Sequence, residues 1–307
     1  MPAHSNKSLQ HNWFSRFIEK RFLFLLLLPT IIILLAVVVY PLGYSIWLSF
    51  TNATLLNFLT GFSFVGLRNY LHTLTRAEFW NSFRVAILFS GISTALELVF
   101  GFFLAQLVYN IKGAKKRSIV IACLLTPLML TPVVVALMWK LMLDYQIGII
   151  NYLMSVLGLG RYPWLGDQTL AFWSLIISDV WQQTPFVFLI LLAGLESLPQ
   201  EPFEAARVDG ASRLQVFRFL TLPFMSGPIL VAVTFRLIDS FKIFDKINVL
   251  TGGGPGTATE ALNVHMHRIA FRWFRLGEAA SIAQIILVII VLLTWLALRV
   301  SRISTDS

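Results

Sequence analysis

The 307-residue sequence is poor in charge: Asp, Glu, Lys and Arg make up 13% of it, against roughly 25% in an average soluble domain. With 57% hydrophobic residues and a mean hydropathy of +0.76, that deficit argues against a water-soluble globule. Cysteine is nearly absent. The single Cys123 excludes any internal disulfide, and its place in an apolar run predicts a buried, small, apolar side chain. No G-x-x-x-x-G-K-[ST] stretch is present, so this chain is not expected to cradle nucleotide phosphates itself. His265 and His267 stand two apart with no Cys or carboxylate cluster to complete a metal site, and the sequence places them in an external loop facing solvent. No nucleophile–base pair recurs on neighbouring helical turns, so neither catalysis nor a cofactor is expected on this chain.

What the sequence has instead is long apolar runs, and a bilayer-spanning helix needs about 20 such residues. Six spans are predicted, at about 22–50, 82–109, 118–143, 170–194, 222–242 and 279–299. The fold class is therefore an all-α, polytopic membrane helical bundle embedded in a lipid bilayer. The domain reading is a tail at 1–21, a membrane domain at 22–300 with a polar loop at 201–221, and a tail at 301–307. The first run, from Phe22 to about Phe50, exceeds the 7–15 residues of a signal-peptide core, so it is read as a retained span.

The net charge is +9. In a membrane protein, Lys and Arg in short loops fix orientation, so no nucleic acid is invoked. Basic residues collect in the N-terminal tail (Lys7, Arg16, Lys20, Arg21), in IKGAKKR (Lys112, Lys115, Lys116, Arg117), in the 201–221 loop (Arg207, Arg213, Arg218) and at Arg299 and Arg302. An even span count puts both ends on one face, and the dense KGAKKR cluster makes it the cytoplasmic one. Arg68, Arg76, Arg84, Arg161, Lys242, Lys246, Arg268, Arg272 and Arg275 fall on the other faces, more widely spread.

The polar stretch FEAARVDGASRLQVFRFLTLPF, 203–224, is too short and charged to cross a membrane. Pro202 suits a first helical turn, and Glu204 lies near the positive end of that helix's dipole. Ala205 and Ala206 admit a close surface, and Gly210 permits a bend or the close passage of another backbone. Ser212 is placed as the N-cap of a second helix to about Leu220, and Pro223 opens the next span. Phe203, Ala206, Gly210, Leu214 and Phe217 recur at three- and four-residue steps on one face. Glu201, Glu204 and Asp209 disfavour an anionic leaflet, so a docking element for a cytosolic protein fits better than a helix lying on headgroups.

Glu204-Ala205-Ala206, three residues, Gly210, nine residues, then Leu220-x-Leu222-Pro223 resembles the EAA signature of binding-protein-dependent ATP-binding-cassette importer permeases. Leu220 replaces the family's usual Ile. WQQTPFVFLILLAGLESLP before it and FKIFDKINVLTGGGPGTATE after it resemble the maltose-type carbohydrate branch, on the first membrane subunit in its six-span form. The resemblance implies a type I importer permease fold in the cytoplasmic (inner) membrane of a bacterium or archaeon. It implies that Glu204, Ala205, Ala206, Asp209, Gly210, Leu214, Phe217, Leu222 and Pro223 couple this chain to a cytosolic ATPase. It also implies a second homologous permease, two ATPase subunits carrying ATP and Mg, and an extracytoplasmic binding protein that delivers a carbohydrate.

Polar groups inside spans are costly and default to a pathway or a partner. Asp179, Gln182, Gln183 and Phe186 share one helical face, as do Arg236, Asp239, Ser240 and Ile243. If the two faces meet, carboxylate, amide and guanidinium groups offer partners to sugar hydroxyls, and Trp181 and Phe186 offer flat apolar faces. By resemblance to the maltose-type permeases, these eight positions are expected to line a sugar site. The same spacing also suits a plain intrahelical Arg236–Asp239 pair. Glu97 and Lys140 read as packing or boundary residues, and TGGGP at 251–255 as an external turn. Two other classes make different demands: an ion-gradient secondary transporter predicts inverted repeats, and a membrane-embedded transferase needs converging acid–base groups. Within the importer reading, glycerol phosphate is the alternative to an uncharged sugar or polyol.

Overall fold

The computed structural model describes residues 26–57 and 59–305. The predicted tail 1–21, with its four basic residues, and the first residues of the first span lie outside them, as do the side chains of 300–305. In chain order the helices are α1 (Leu26–Ser49), α2 (Arg68–Thr75), α3 (Ala77–Tyr109), α4 (Ala114–Met129), α5 (Pro132–Met142), α6 (Ile149–Val156), α7 (Gln168–Glu196), α8 (Glu201–Val208), α9 (Arg213–Phe224), α10 (Ser226–Phe241), α11 (Asp245–Leu250), α12 (Leu262–Phe271) and α13 (Leu276–Thr305). No strand occurs among the described residues. Helix α13 runs to Thr305, past the boundary predicted at 300.

Four of these, α1, α3, α7 and α13, are long and apolar enough to cross a bilayer, and the count reaches six if each of two bent pairs is one span. The first bend falls inside the predicted third span, 118–143, and the second near the start of the predicted fifth, 222–242. Between α4 and α5 the axis turns by 90°. Thr126-Pro127 tightens the end of α4 into a 3-10 turn, and Leu130 and Thr131 are extended, with ψ of 142° and 148°. A residue before proline is pushed out of the α region, which explains Thr131 before Pro132. The Thr131 hydroxyl then caps α5 by accepting from Val134 N–H.

Between α9 and α10 the bend is 62°, and it falls at Met225, not at the predicted opening by Pro223. Pro223 instead sits inside α9 behind a π-helical segment, Phe217–Thr221. A second π segment, Leu35–Val39, precedes Pro41 in α1. The physical reason is shared: proline has no N–H for the carbonyl four residues back. The residue before it, Leu222 or Tyr40, donates to the fifth carbonyl back, Phe217 or Leu35, and widens the turn.

Helices α3 and α7 form the central pair, α10 packs against both, and α13 packs on α10. They approach closely at Gly101, where a Cβ would stand 2.8 Å from Val187 Cγ1 and 3.1 Å from the Phe188 backbone nitrogen. One apolar cluster, including Phe89, Ile176, Phe241, Ile247 and Ile282, fills one end of the bundle. A second, including Ala105, Val187, Leu191, Met225 and Ala232, fills the end nearer α8 and α9. Helix α1 buries none of its apolar window within the chain and meets α13 through its last ten residues, where Gln284 donates to Ser45 Oγ.

Three sequence expectations are overturned. Cys123 is exposed, because α4 turns no residue of 114–125 into the core. His265 is buried against Glu260, its Nδ1 2.8 Å from Oε1, since the 251–261 loop folds beneath α12. Lys246, counted as an external loop charge, is 2% exposed.

Candidate functional site

The EAA stretch forms a helical hairpin, α8 and α9, beyond the second apolar cluster. Helix α8 begins with Pro202 in its first turn and carries Glu201 and Glu204 there, where the helix dipole favours acid. It ends in a Schellman motif: Ala211 N–H donates to the Ala206 carbonyl (2.9 Å) and Gly210 N–H to that of Arg207 (3.2 Å). Gly210 has φ +74°, and nothing lies within 4 Å of an added Cβ. The glycine is thus required by the backbone turn, and no other segment among the described residues crowds it. Ser212 caps α9 in a reciprocal box with Gln215, as its position predicts.

The apolar face read from Phe203 to Phe217 is divided in space. Phe203 packs on Phe224, ring centroids 6.3 Å apart, and Phe217 packs edge-on against Phe102 of α3 at 5.6 Å. The first contact closes α8 onto α9 within the hairpin, and the second fastens the hairpin to the bundle. Val208 and Leu214 project instead, 88% and 74% exposed. Glu204, Ala205, Asp209, Leu222 and Pro223 are exposed as well, and Ala206 is half-buried. Ala205, Ala206, Asp209 and Gly210 line a surface cavity of about 570 Å³.

Between the two apolar clusters lies a band of buried charge. Glu97 sits on α3 between Phe89 and Ala105, Asp179 on α7 between Ile176 and Val187, and Arg236 on α10 between Ala232 and Phe241. Arg236 Nε donates to Glu97 Oε2 (2.5 Å), and Nη2 donates to Glu97 Oε1 (2.8 Å) and Asp179 Oδ2 (3.0 Å). Lys246 Nζ donates to Asp179 Oδ1 at 2.5 Å. The four side chains are at most 5% exposed. Taking a charge out of water costs several kcal/mol per ion, so such groups persist only when mutually paired. Two acids and two bases alternate here, and their charges cancel. The intrahelical Arg236–Asp239 pair is also present at 2.8 Å, with Asp239 63% exposed.

Beside this band is a cavity of about 230 Å³. Asp179, Gln182, Gln183, Asp239, Ser240 and Ile243, six of the eight predicted pathway residues, line it with Pro132, Lys242, Phe244, Asp245 and Lys246. Gln182 Nε2 donates to the Leu130 carbonyl (2.8 Å), while its Oε1 has no protein partner among the described residues. Arg236 lies behind the wall, saturated by carboxylates. Phe186 lies off the cavity, edge-on to Phe235 at 6.3 Å.

Residues 97–303, which contain both the hairpin and the charged band, match the family of binding-protein-dependent transport system inner membrane components. The chain belongs to that family. The trehalose/maltose transport system permease protein MalF of Thermococcus litoralis is 37% identical over 291 residues, covering 94% of this chain and 96% of the relative. The trehalose transport system permease protein SugA of Mycobacterium tuberculosis is 33% identical, covering 89% and 86%. In fold, the chain matches a subunit of a bacterial alginate ABC transporter, solved in complex with an alginate pentasaccharide-bound periplasmic protein, at a TM-score of 0.82 and 22% identity, covering 95% and 98%. The fold is that of the ABC importer permeases, and the protein is a membrane transport component.

Two members of the charged band escaped sequence reasoning in this family member. Glu97 carried a signal, a carboxylate inside an apolar run, but nothing in the sequence named its partner 139 residues away. Lys246 carried none, since a lysine just past a span reads as a loop charge.

Proposed function

We propose that this chain forms half of the translocation pathway of an ATP-binding-cassette importer for an uncharged sugar or polyol. The observation that carries the proposal is the path out of the α8–α9 hairpin. Its tip is exposed, Phe203 closes α8 onto the end of α9, Phe217 grips α3, and α9 leads through the bend at Met225 into α10, which bears Arg236. A push on the hairpin is delivered to the charged band and the cavity beside it.

On this reading Glu204, Ala205, Ala206, Asp209, Gly210, Leu214, Phe217, Leu222 and Pro223 couple the chain to a cytosolic ATPase. Two such subunits hold ATP and Mg, a second, similar permease completes the pathway, and a binding protein delivers substrate at the opposite face. The KGAKKR segment supports the orientation: Arg117 pairs with Glu196 at the end of α7, on the hairpin side of the bundle. With an even number of spans, both termini are then cytoplasmic.

The substrate class rests on the cavity and on the trehalose and maltose named for the two relatives. Asp239, Lys242 and Asp245 mix both signs of charge beside the amides of Gln182 and Gln183, which suits hydroxyls. A phosphate would meet two carboxylates there, and the guanidinium that could hold it is engaged by Glu97 and Asp179. Glycerol phosphate is therefore disfavoured.

The test is ATP hydrolysis by the reconstituted complex with its binding protein, over a panel of sugars, polyols and glycerol phosphate, for wild type, Glu204→Lys and Gly210→Asp. Stimulation by one uncharged ligand, lost in both variants, is expected. Variants that couple normally would refute the role of the hairpin, and stimulation by glycerol phosphate alone would refute the substrate class.

A further inference from the structure

The four buried charges are not equivalent with respect to the cavity. Glu97 and Arg236 meet through two hydrogen bonds of 2.5 and 2.8 Å and line no part of it, whereas Asp179 and Lys246 meet through one and both line it. Among the described residues, Asp179 is the one polar partner of Lys246. Attraction between opposite charges falls steeply as the surrounding dielectric rises. Water or a polar solute entering the cavity therefore weakens the Asp179–Lys246 pair first, and leaves the Glu97–Arg236 pair in its dry setting.

The two pairs also join different bodies. Glu97–Arg236 binds α3 to α10, both of which are contacted by or continuous with the hairpin. Asp179–Lys246 binds α7 to α11, and α11 packs on α5, where Lys140 Nζ donates to the Val249 carbonyl (3.2 Å). Gln182, one turn beyond Asp179, adds a second tie from α7 to the start of α5 through the Leu130 carbonyl. One face of α7 thus holds the α5–α11 wall of the cavity by polar links that border the cavity itself.

We propose that Lys246 is a positioning residue for transport: its ion pair with Asp179 is a separable tie that holds the α5–α11 wall against α7 in the resting state and parts during the cycle, while Glu97–Arg236 stays joined. The inference rests on the importer reading above and goes beyond it, since it gives Asp179 a tie to hold as well as a cavity wall to line, and gives a role to Lys246, a residue outside the predicted pathway. A tie that holds the resting state suppresses turnover until substrate is delivered, and its loss shifts the population toward the active state.

The experiment compares ATP hydrolysis of the full reconstituted complex, with and without its sugar-loaded binding protein, for wild type, Lys246→Met and Lys246→Arg. Lys246→Met is expected to raise the unstimulated rate by about fivefold or more, the lower end of usual coupling between linked sites, with a smaller stimulation ratio. Lys246→Arg, which keeps the charge, should stay near wild type. A purely structural role would lower complex yield and leave the unstimulated rate per complex unchanged. An unstimulated rate at or below wild type overturns the proposal. If Lys246→Met does not assemble, the double variant Asp179→Asn/Lys246→Met, which removes both charges, decides: a raised unstimulated rate supports the tie, and either normal coupling or failure to assemble overturns it. A wild-type complex that ignores every binding protein would instead refute the importer reading, and the tie with it.

Discussion

Replacing Arg236 by methionine tests the charged band most directly. The guanidinium contacts three carboxylates, but they lose different amounts. Asp239 is 63% exposed, and a solvated ion pair contributes about 0–1 kcal/mol. Asp179 keeps Lys246 at 2.5 Å. Glu97, 0% exposed, loses both of its hydrogen bonds to Arg236, at 2.5 and 2.8 Å, and with them the only cation it touches among the described residues. Removing one partner of a buried pair costs about 3–5 kcal/mol, because the other charge is left uncompensated. Replacing both partners with apolar groups of similar volume is commonly close to neutral. Glu97→Leu/Arg236→Met should therefore recover most of the loss, with a coupling energy of about 2–4 kcal/mol between the two sites. The assay is unfolding of the detergent-solubilised protein in a denaturing-detergent titration, followed by tryptophan fluorescence, for the wild type, both single variants and the double. A single-variant cost under about 1 kcal/mol, or a double variant no more stable than Arg236→Met, would show that the pair is not the buried joint described here.

Two further outcomes follow from packing. Gly101→Val places side-chain atoms where a Cβ alone is already 2.8 Å from Val187 Cγ1; forced separation of α3 and α7 should cost about 1–3 kcal/mol or more, read as a lower thermal midpoint, and an unchanged midpoint would refute the close approach. Cys123 lines an apolar cavity of about 680 Å³ with Phe100, Phe103 and Trp181, so in native membranes it should react with the membrane-permeant N-ethylmaleimide and not with a charged, impermeant maleimide. Reaction only after denaturation would show a buried thiol.

Much of the fold was legible because a bilayer imposes one strong rule, that backbone polar groups be satisfied within the segment. The runs at 82–109 and 170–194 became α3 and α7 within a few residues for that reason. The breaks at Leu130 and Met225 were not legible, since prolines inside spans are compatible with straight, kinked or broken helices alike, and neighbouring packing selects among them. Pro223 shows this well: it was absorbed by a π turn, and the chain bent two residues later.

The hairpin was readable residue by residue because its signals are local: an αL glycine, a serine cap with glutamine three positions on, and acids in a first turn. The division of Phe203 and Phe217 from Leu214 was not, because it depends on how α8 folds back on Phe224 and on Phe102 approaching from α3.

The sequence by itself determined that this is a helical membrane protein and that it carries a polar hairpin between two apolar runs, and it named eight candidate pathway residues; the structure brings six of them to one cavity. Spacing and hydropathy are properties of a segment, and they survive without knowledge of its neighbours. Only the tertiary structure decided that Arg236 belongs to Glu97 and Asp179, and that Lys246 is buried while Cys123 is not. Those outcomes are set by which charges and surfaces meet across 57 to 139 residues of chain, and no local pattern encodes a partner at that distance.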